Sequence, residues 1–208
     1  EDPEVMWQFA EAVRGISEAC QVFGTPVTGG NVSFYNEGPR GAVDPTPVIG
    51  MIGAIECGMR NAECGMEPIT ANFKDEGDLI ILLGETREEL GGSEYLAVLH
   101  RRKAGKPPRV DLAKEYLLQQ LMVEAAAQGW LKSAHDCSDG GLAVALAECC
   151  IMEPEQWRGA TIAISNQQSA ISKGSMRVDA LLFGESTGRI VVSVARGYAE
   201  PLIALAQR

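Results

Sequence analysis

At 208 residues, with 46% hydrophobic and 22% charged residues, the chain carries enough apolar material for a packed core and falls outside the disordered class. Its 28 acidic residues outnumber 18 basic ones, giving a formal net charge of -10. That balance excludes a surface built for nucleic acid or for an anionic membrane, because phosphate binding needs clustered Lys and Arg.

Asp2 and Pro3 predict a helix start, with Asp as N-cap and Pro at the first helical position. Val5, Met6, Phe9, Val13, Ile16, Cys20 and Phe23 then recur at helical spacing, Glu11, Arg14 and Glu18 fall opposite, and Gly24 ends the helix. The stretch T-P-V-T-G-G-N-V-S-F-Y-N-E, residues 25–37, reads as a strand, a tight glycine turn and a second short extended run. Gly29 and Gly30 lack Cβ, so the backbone there can take positive φ and come close to a ligand. Successive N–H groups in such a turn form a concave anion site. Asn31 offers an amide oxygen to a hard cation such as Mg²⁺. Ser33, two residues on, places its hydroxyl on the same face of an extended run. A plain glycine bend at a sheet or barrel corner fits the same spacing, and both readings stay open.

Residues 37–46 read as a loop rich in Gly, Pro and Asp, and 47–56 (P-V-I-G-M-I-G-A-I-E) as a strand whose glycines pack against another layer. Residues 57–73 are less regular. A polar turn at 74–78 marks a domain boundary, dividing the chain into 1–74 and 75–208. The wholly apolar run L-I-I-L-L at 79–83 predicts a strand buried on both faces. A loop over 84–93 leads to a helix starting near Ser93 and carrying Tyr95, Leu96 and Leu99. Residues 101–108, basic and with paired prolines, read as a solvated connector. Asp111 caps a long helix with Leu117, Leu118, Leu121, Met122, Ala125 and Ala126 inward, ending at Gly129.

The run S-A-H-D-C-S-D-G-G-L, residues 133–142, is the second informative stretch. A strand end meets Asp136, then Ser138, Asp139, Gly140 and Gly141, and a helix follows over 142–152. Ser138 or Asp139 can cap that helix, and its N-terminal N–H groups suit a phosphate. Asp136 and Asp139 are candidates to hold a bridging Mg²⁺, with a simple capping turn as the alternative. His135 fits a packing residue as well as a base. A strand over 160–164, a polar loop over 166–177 and a short apolar segment over 179–183 come next. Gly184-Glu185-Ser186 punctuates the chain before a clear strand over 189–194 and a helix over 198–207.

The six cysteines are Cys20, Cys57, Cys64, Cys137, Cys149 and Cys150; none forms a C-x-x-C pair, and the two histidines, His100 and His135, lie far apart. A zinc site is therefore not expected. With no signal peptide in view, the cysteines read as reduced thiols of a cytoplasmic protein. No apolar run approaches the roughly 20 residues that span a bilayer.

Several stretches, in order along nearly the whole chain, resemble phosphoribosylformylglycinamidine synthase, the synthetase of purine biosynthesis: P-E-V-M-W-Q-F, G-T-P-V-T-G-G-N-V-S-F-Y-N-E, P-T-P-V-I-G-M, G-D-L-I-I-L-L-G-E-T, L-G-G-S-E-Y-L, P-P-R-V-D-L, A-H-D-C-S-D-G-G-L-A-V-A-L-A-E and D-A-L-L-F-G-E-S. The resemblance implies an α/β (α+β) chain of the aminoimidazole ribonucleotide synthetase superfamily. Residues 1–74 would be part of a barrel-forming N-terminal domain, and 75–208 an α/β sandwich C-terminal domain lacking its tail. Together they would be the second half of a larger synthetase. It implies ATP and Mg²⁺ as cofactors, formylglycinamide ribonucleotide as substrate, and the first half of the synthetase and a glutaminase subunit or domain as partners.

By the same resemblance Gly30 contributes to the ATP site, Asn31 is a magnesium ligand and Ser33 touches the ribonucleotide. Asp136, Asp139 and Glu185 belong to an auxiliary nucleotide or metal site, where Cys137 and Thr187-Gly188 depart slightly from the family pattern. The family's catalytic histidine, acidic metal ligands and glutaminase cysteine lie outside these residues. The isolated chain is thus expected to be inactive. Two alternatives remain: another ATP-using enzyme of the superfamily, such as aminoimidazole ribonucleotide synthetase, selenophosphate synthetase or thiamine-phosphate kinase, or a structural nucleotide-binding half without chemistry.

Overall fold

The computed structural model describes residues 2–33, 36–39, 41–54, 68–163 and 176–208. The chain divides into two compact units, Glu1–Met66 and Glu67–Arg208.

The first unit opens with α1 (Pro3–Phe23), bounded as its sequence predicts: Asp2 Oδ1 accepts from the Glu4 N–H at 2.9 Å, Pro3 occupies the first turn, and Gly24 closes the helix at φ 65°. Residues 25–33 follow without regular structure. Glu37–Gly38 (β1) then pairs antiparallel with Gly41–Ala42 (β2), a small hairpin inside the expected loop. The strands expected over 25–28 and 47–56 do not form among the described residues. A strand exists only as a hydrogen-bonded pair, and no described segment pairs with either stretch; Val48 is 89% and Ile52 100% exposed. Phe34, Tyr35, Ile55 and Glu56 lie outside the described residues.

The second unit is built on a three-stranded antiparallel sheet. β3 (Leu79–Leu83), β4 (Leu131–Asp136) and β5 (Ile190–Val194) lie in the order β3-β5-β4, so the last strand in sequence is central. The register sets Leu79 opposite Val194 and Leu83 opposite Ile190 on one side, and Asp136 opposite Ile190 on the other, with a bulge between Leu131 and Ser133. Thr70 adds a parallel bridge to Ser133.

Alternation along the strands feeds two cores. Leu83, Val192 and Val194 pack with Leu131, Ala125 of α2 (Leu112–Ala127) and Leu202 of α5 (Ala199–Ala206). On the opposite face Val191, Ile80 and Leu82 meet Ala145 and Cys149 of α3 (Gly141–Ile151), joined by Phe73. Each fully buried Val or Leu contributes about 1.5–3 kcal/mol of transfer free energy. Helices thus cover both faces of the sheet, the mixed α/β sandwich that the sequence predicts.

Asp111 caps α2 through Oδ1, which accepts from the Lys114 N–H at 3.2 Å, and Gly129 takes φ 68° just beyond its end. Leu117, expected inward, is 66% exposed. The buried stripe is Leu118, Leu121, Met122 and Ala125, and Leu117 sits about 100° round the helix from Leu118. The helix expected after Ser93 is a single π-helical turn, Tyr95–Leu99. The apolar segment at 179–183 is a short helix, α4 (Val178–Phe183), with Phe183 stacked on Tyr95 at 5.2 Å between ring centroids. Residues 160–163 carry no strand; Ile164 and nearly all of the expected 166–177 loop lie outside the described residues.

Cys20, Cys137, Cys149 and Cys150 are free thiols; Cys57 and Cys64 lie outside the described residues. Burial pushes the Cys149 thiol up to about 12 and raises Cys137 and Cys150 in the same direction. Among the described residues no helix is long and apolar enough to cross a membrane.

Candidate functional site

The sequence places candidate ligands in both units. In the first, Gly29, Gly30, Asn31 and Ser33 are all exposed on the irregular segment after α1. Gly30 has φ 155°, and nothing lies within 4 Å of where a Cβ would project at Gly29 or Gly30, so the backbone there is open to a ligand. The Ser33 hydroxyl donates to Asn36 Oδ1 at 3.0 Å. Asn31 supplies one neutral oxygen. Mg²⁺ takes few protein ligands and completes its octahedron with water and phosphate oxygens, so this donor set fits a metal held chiefly by a nucleotide's phosphates. Among the described residues no group of three or more His, Cys, Asp or Glu is arranged to hold a metal ion by itself.

In the second unit the N-terminus of α3 is capped differently from the sequence expectation. Neither Ser138 nor Asp139 caps it: the N-cap is Gly140, at φ 80°, with no side-chain hydrogen bond of its own. Ser138 Oγ donates instead to Asp136 Oδ2, and Asp139 is exposed. The capping anion arrives from a distant part of the chain. Glu185 Oε1 accepts from the Gly140 N–H at 2.8 Å and from the Glu94 N–H at 2.8 Å. A carboxylate at the positive end of a helix satisfies both the dipole and an orphan donor. Of the three acidic candidates here, Glu185 is thus joined to the α3 terminus, Asp136 to Ser138, and Asp139 to neither. The Ser138 hydroxyl holds the Asp136 carboxyl below its ordinary range against the opposing effect of burial, with His135 adding to the lowering. Asp136 is therefore anionic and partly open to solvent at neutral pH. His135 packs at the same strand end, its Nδ1 2.8 Å from the Asp136 carbonyl and its Nε2 3.1 Å from Glu148 Oε2.

Beneath Glu185 lies a group that sequence reasoning passes over. Arg189 is 2% exposed, and its guanidinium donates from Nε to the Ser186 carbonyl at 3.0 Å, from Nη2 to the Gly184 carbonyl and from Nη1 to Thr86 Oγ1 at 3.3 Å. It therefore fixes both flanks of the Gly184–Ser186 turn that presents Glu185. Burial draws the Arg189 pKa down, while Cys137, Glu89 and Glu185 oppose that shift. The turn is further tied to the loop after β3: the Glu185 N–H donates to the Glu89 carbonyl at 3.2 Å, and the Arg87 N–H to Ser186 Oγ at 3.2 Å. The Ser186 hydroxyl is fully buried by these bonds. In sequence Arg189 looks like an ordinary charged residue at a strand edge; only the chain reversal at 184–188 turns it inward.

Beside the turn a cavity of about 60 Å³ opens between the loop after β3 and the start of α2, lined in part by Glu85, Arg87, Asp111, Lys114, Glu115 and Thr187. Glu85 there pairs with Lys114 at 2.9 Å and Arg87 at 3.2 Å. Hydrogen bonds from those two cations hold its carboxyl below the usual range.

The chain belongs to the AIR synthase related protein family: the family's C-terminal domain matches residues 75–208 and its N-terminal domain residues 1–55. Within that family it is 48% identical, over all of its own length, to the phosphoribosylformylglycinamidine synthase subunit PurL of Anaeromyxobacter sp. (strain Fw109-5). It is 47% identical, again over its full length, to the subunit of that name from Moorella thermoacetica. It spans 26% of the length of each of these relatives. Among solved structures, T. maritima PurL complexed with FGAR superposes with a TM-score of 0.50 at 19% identity, covering 67% of this chain and 23% of that one; the likeness is one of fold.

Proposed function

We propose that the chain is part of an ATP-dependent carbon–nitrogen ligase of purine biosynthesis, which converts formylglycinamide ribonucleotide and glutamine-derived ammonia to formylglycinamidine ribonucleotide. The observation that carries this reading is the 47–48% identity, over the whole chain, to relatives named as subunits of that synthase. In such a reaction the substrate's amide oxygen takes the γ-phosphoryl group, and ammonia then displaces phosphate. Bound Mg²⁺ would neutralise charge on the triphosphate. The remainder of the synthetase and a glutaminase are the partners this requires.

In this reading residues 1–74 and 75–208 act as separate domains. The open backbone at Gly30 lies against ATP phosphates, Asn31 gives one oxygen to the metal, and the Ser33 hydroxyl meets the ribonucleotide. Asp136, Asp139 and Glu185 form an auxiliary nucleotide or metal site, with Asp136 as its ready anion and Glu185 as its anchor. The reactive histidine and acidic metal ligands come from elsewhere in the synthetase.

The test uses the full-length parent. Asn31→Ala should weaken ATP binding and Ser33→Ala ribonucleotide binding, and each should lower amidine formation, by about tenfold or more, as loss of a polar contact to a charged ligand implies. Unchanged nucleotide affinity and turnover in both variants would end the assignment. A second reading, a nucleotide-binding half without chemistry, draws on Glu185, whose one oxygen ties α3 to the Glu94 turn as a brace does. ADP binding lost in Asp136→Asn but intact in Asn31→Ala would favour it.

A further inference from the structure

The geometry points to the loop over residues 101–109 as a docking surface for the acidic, partly apolar face of another protein. The charge distribution is lopsided. Arg101, Arg102, Lys103, Lys106 and Arg109 stand in a stretch, residues 95–110, that holds no Asp or Glu. The stretch therefore carries +5. The rest of the chain has 13 basic residues (18 less these 5) against all 28 acidic ones, a net -15. A chain this acidic concentrates more than a quarter of its cations in one exposed loop. Arg101, Arg102 and Lys106 form no ion pair with any described residue.

The loop is also held in shape, which a solvated connector does not need. Its backbone crosses the loop after β3 so closely that a Cβ on Gly91 would come within 2.0 Å of the Lys106 carbonyl, and one on Gly105 within 2.7 Å of Gly91 Cα. The Gly92 N–H donates to the Ala104 carbonyl at 2.9 Å and the Arg102 N–H to the Leu96 carbonyl at 2.9 Å. At its far end the Arg109 N–H donates to Glu89 Oε1 at 3.0 Å, and the Arg109 carbonyl accepts from Thr187 Oγ1 at 2.9 Å. Arg101 itself is fixed at φ 50°, the one described non-glycine residue with positive φ. Such strain persists only where the surroundings over-determine the backbone. A surface ordered in advance avoids the entropy cost of ordering on binding.

Apolar groups flank the cations. Val98 is 66%, Leu99 65% and Val110 60% exposed. An inorganic phosphate or a nucleic acid makes no use of these, and an extended polyanion would meet the repulsion of the remaining -15. With charges screened beyond about 8 Å at physiological salt, a short acidic patch on a protein feels Arg101, Arg102 and Lys106 rather than the chain's net charge, while Glu89, Glu94 and Asp111 lie at the ends of the loop. The complementary partner is thus a protein face with carboxylates around an apolar centre.

The test uses the full chain and a fluorescein-labelled synthetic amphipathic peptide of Glu and Leu, titrated by anisotropy. The peptide should bind in the micromolar range. Affinity should fall by about tenfold or more in the triple variant Arg101→Asn, Arg102→Gln, Lys106→Gln, and by several-fold in Leu99→Ser. Asn is chosen at 101 because it tolerates positive φ. Should the triple variant be misfolded, the same peptide with Gln for Glu, titrated against the unaltered chain, must show the same loss. The inference is overturned if the Glu peptide does not bind, if the Gln peptide binds equally well, or if single-stranded RNA or polyphosphate binds as tightly as the peptide. None of these readouts involves ATP, so they are independent of the ligase assignment.

Discussion

Replacing Arg189 by Met tests whether the buried guanidinium holds up the second unit. Met preserves the length and apolar volume of the side chain while removing every donor. The Gly184 and Ser186 carbonyls and Thr86 Oγ1 then lose their charged partner. Hydrogen bonds to charged groups are worth about 1.5–3 kcal/mol each, and removing one member of a buried ionic group typically costs about 3–5 kcal/mol. Glu89 Oε2, buried with no hydrogen bond, also loses the nearby positive charge. A loss of about 4 kcal/mol is expected. With a urea m-value of about 2 kcal/mol/M, the unfolding midpoint falls by about 2 M.

Tryptophan fluorescence reports the second unit selectively. Trp130 packs against its core, whereas Trp7 and Trp157 are 63% and 71% exposed. Arg189→Lys, which keeps the charge but not the fork, should fall between wild type and Arg189→Met. A loss below about 1 kcal/mol in Arg189→Met, or a gain in stability, would refute the argument. It would show that the freed carbonyls find other donors or that a hydrophobic replacement compensates, as happens at some buried ion clusters.

Glu185→Ala removes the acceptor shared by Gly140 and Glu94. Hydrogen exchange at those two amides should accelerate by about tenfold or more while the β5 amides stay protected; equal protection in the variant would contradict the capping role. Gly84→Ala sets a Cβ 1.9 Å from the Gly188 carbonyl at a residue with φ 95°, so a loss of at least about 2 kcal/mol is expected in urea titration, and a neutral result would mean the turn can open. For Cys149 the sign runs from its raised pKa: the unfolded thiol ionises near 9 and the folded one near about 12, so stability is intact below pH 9 and declines above it. The slope is about 1.4 kcal/mol per pH unit for one such thiol, and Cys149→Ala should flatten it in urea midpoints measured from pH 8 to 10.5.

What the sequence discloses is the local part of this fold. Asp2, Pro3 and Gly24 bound α1 because caps act within one turn, and Asp111 starts α2 for the same reason. The apolar runs at 79–83 and 190–194 identify strands because both faces are covered. The order β3-β5-β4, by contrast, depends on contacts separated by more than 50 residues, and no periodicity encodes it. The cap of α3 shows the same limit: Ser138 and Asp139 stand where a local cap belongs, yet Glu185 takes the position from 45 residues away. The stretch at 47–54 has the composition of a strand but no described partner, and composition cannot supply one. At the candidate site the exposed, open backbone at Gly30, Asn31 and Ser33 accords with their sequence reading as candidate ligands, whereas the brace beneath Glu185 was not legible, since a buried Arg189 has the same letter as an exposed one.

The central place of β5 sets a schedule for biosynthesis. As the chain leaves the ribosome, β3 and β4 emerge with no neighbour for either inner edge, and the strand that joins them is made after some 50 further residues. Until Ile190–Val194 appears, two unpaired strand edges stand open as templates for any passing strand. A premature stop just before residue 190 should therefore yield insoluble aggregates rather than a smaller stable fold, and a chaperone acting on this protein has most to protect in that interval.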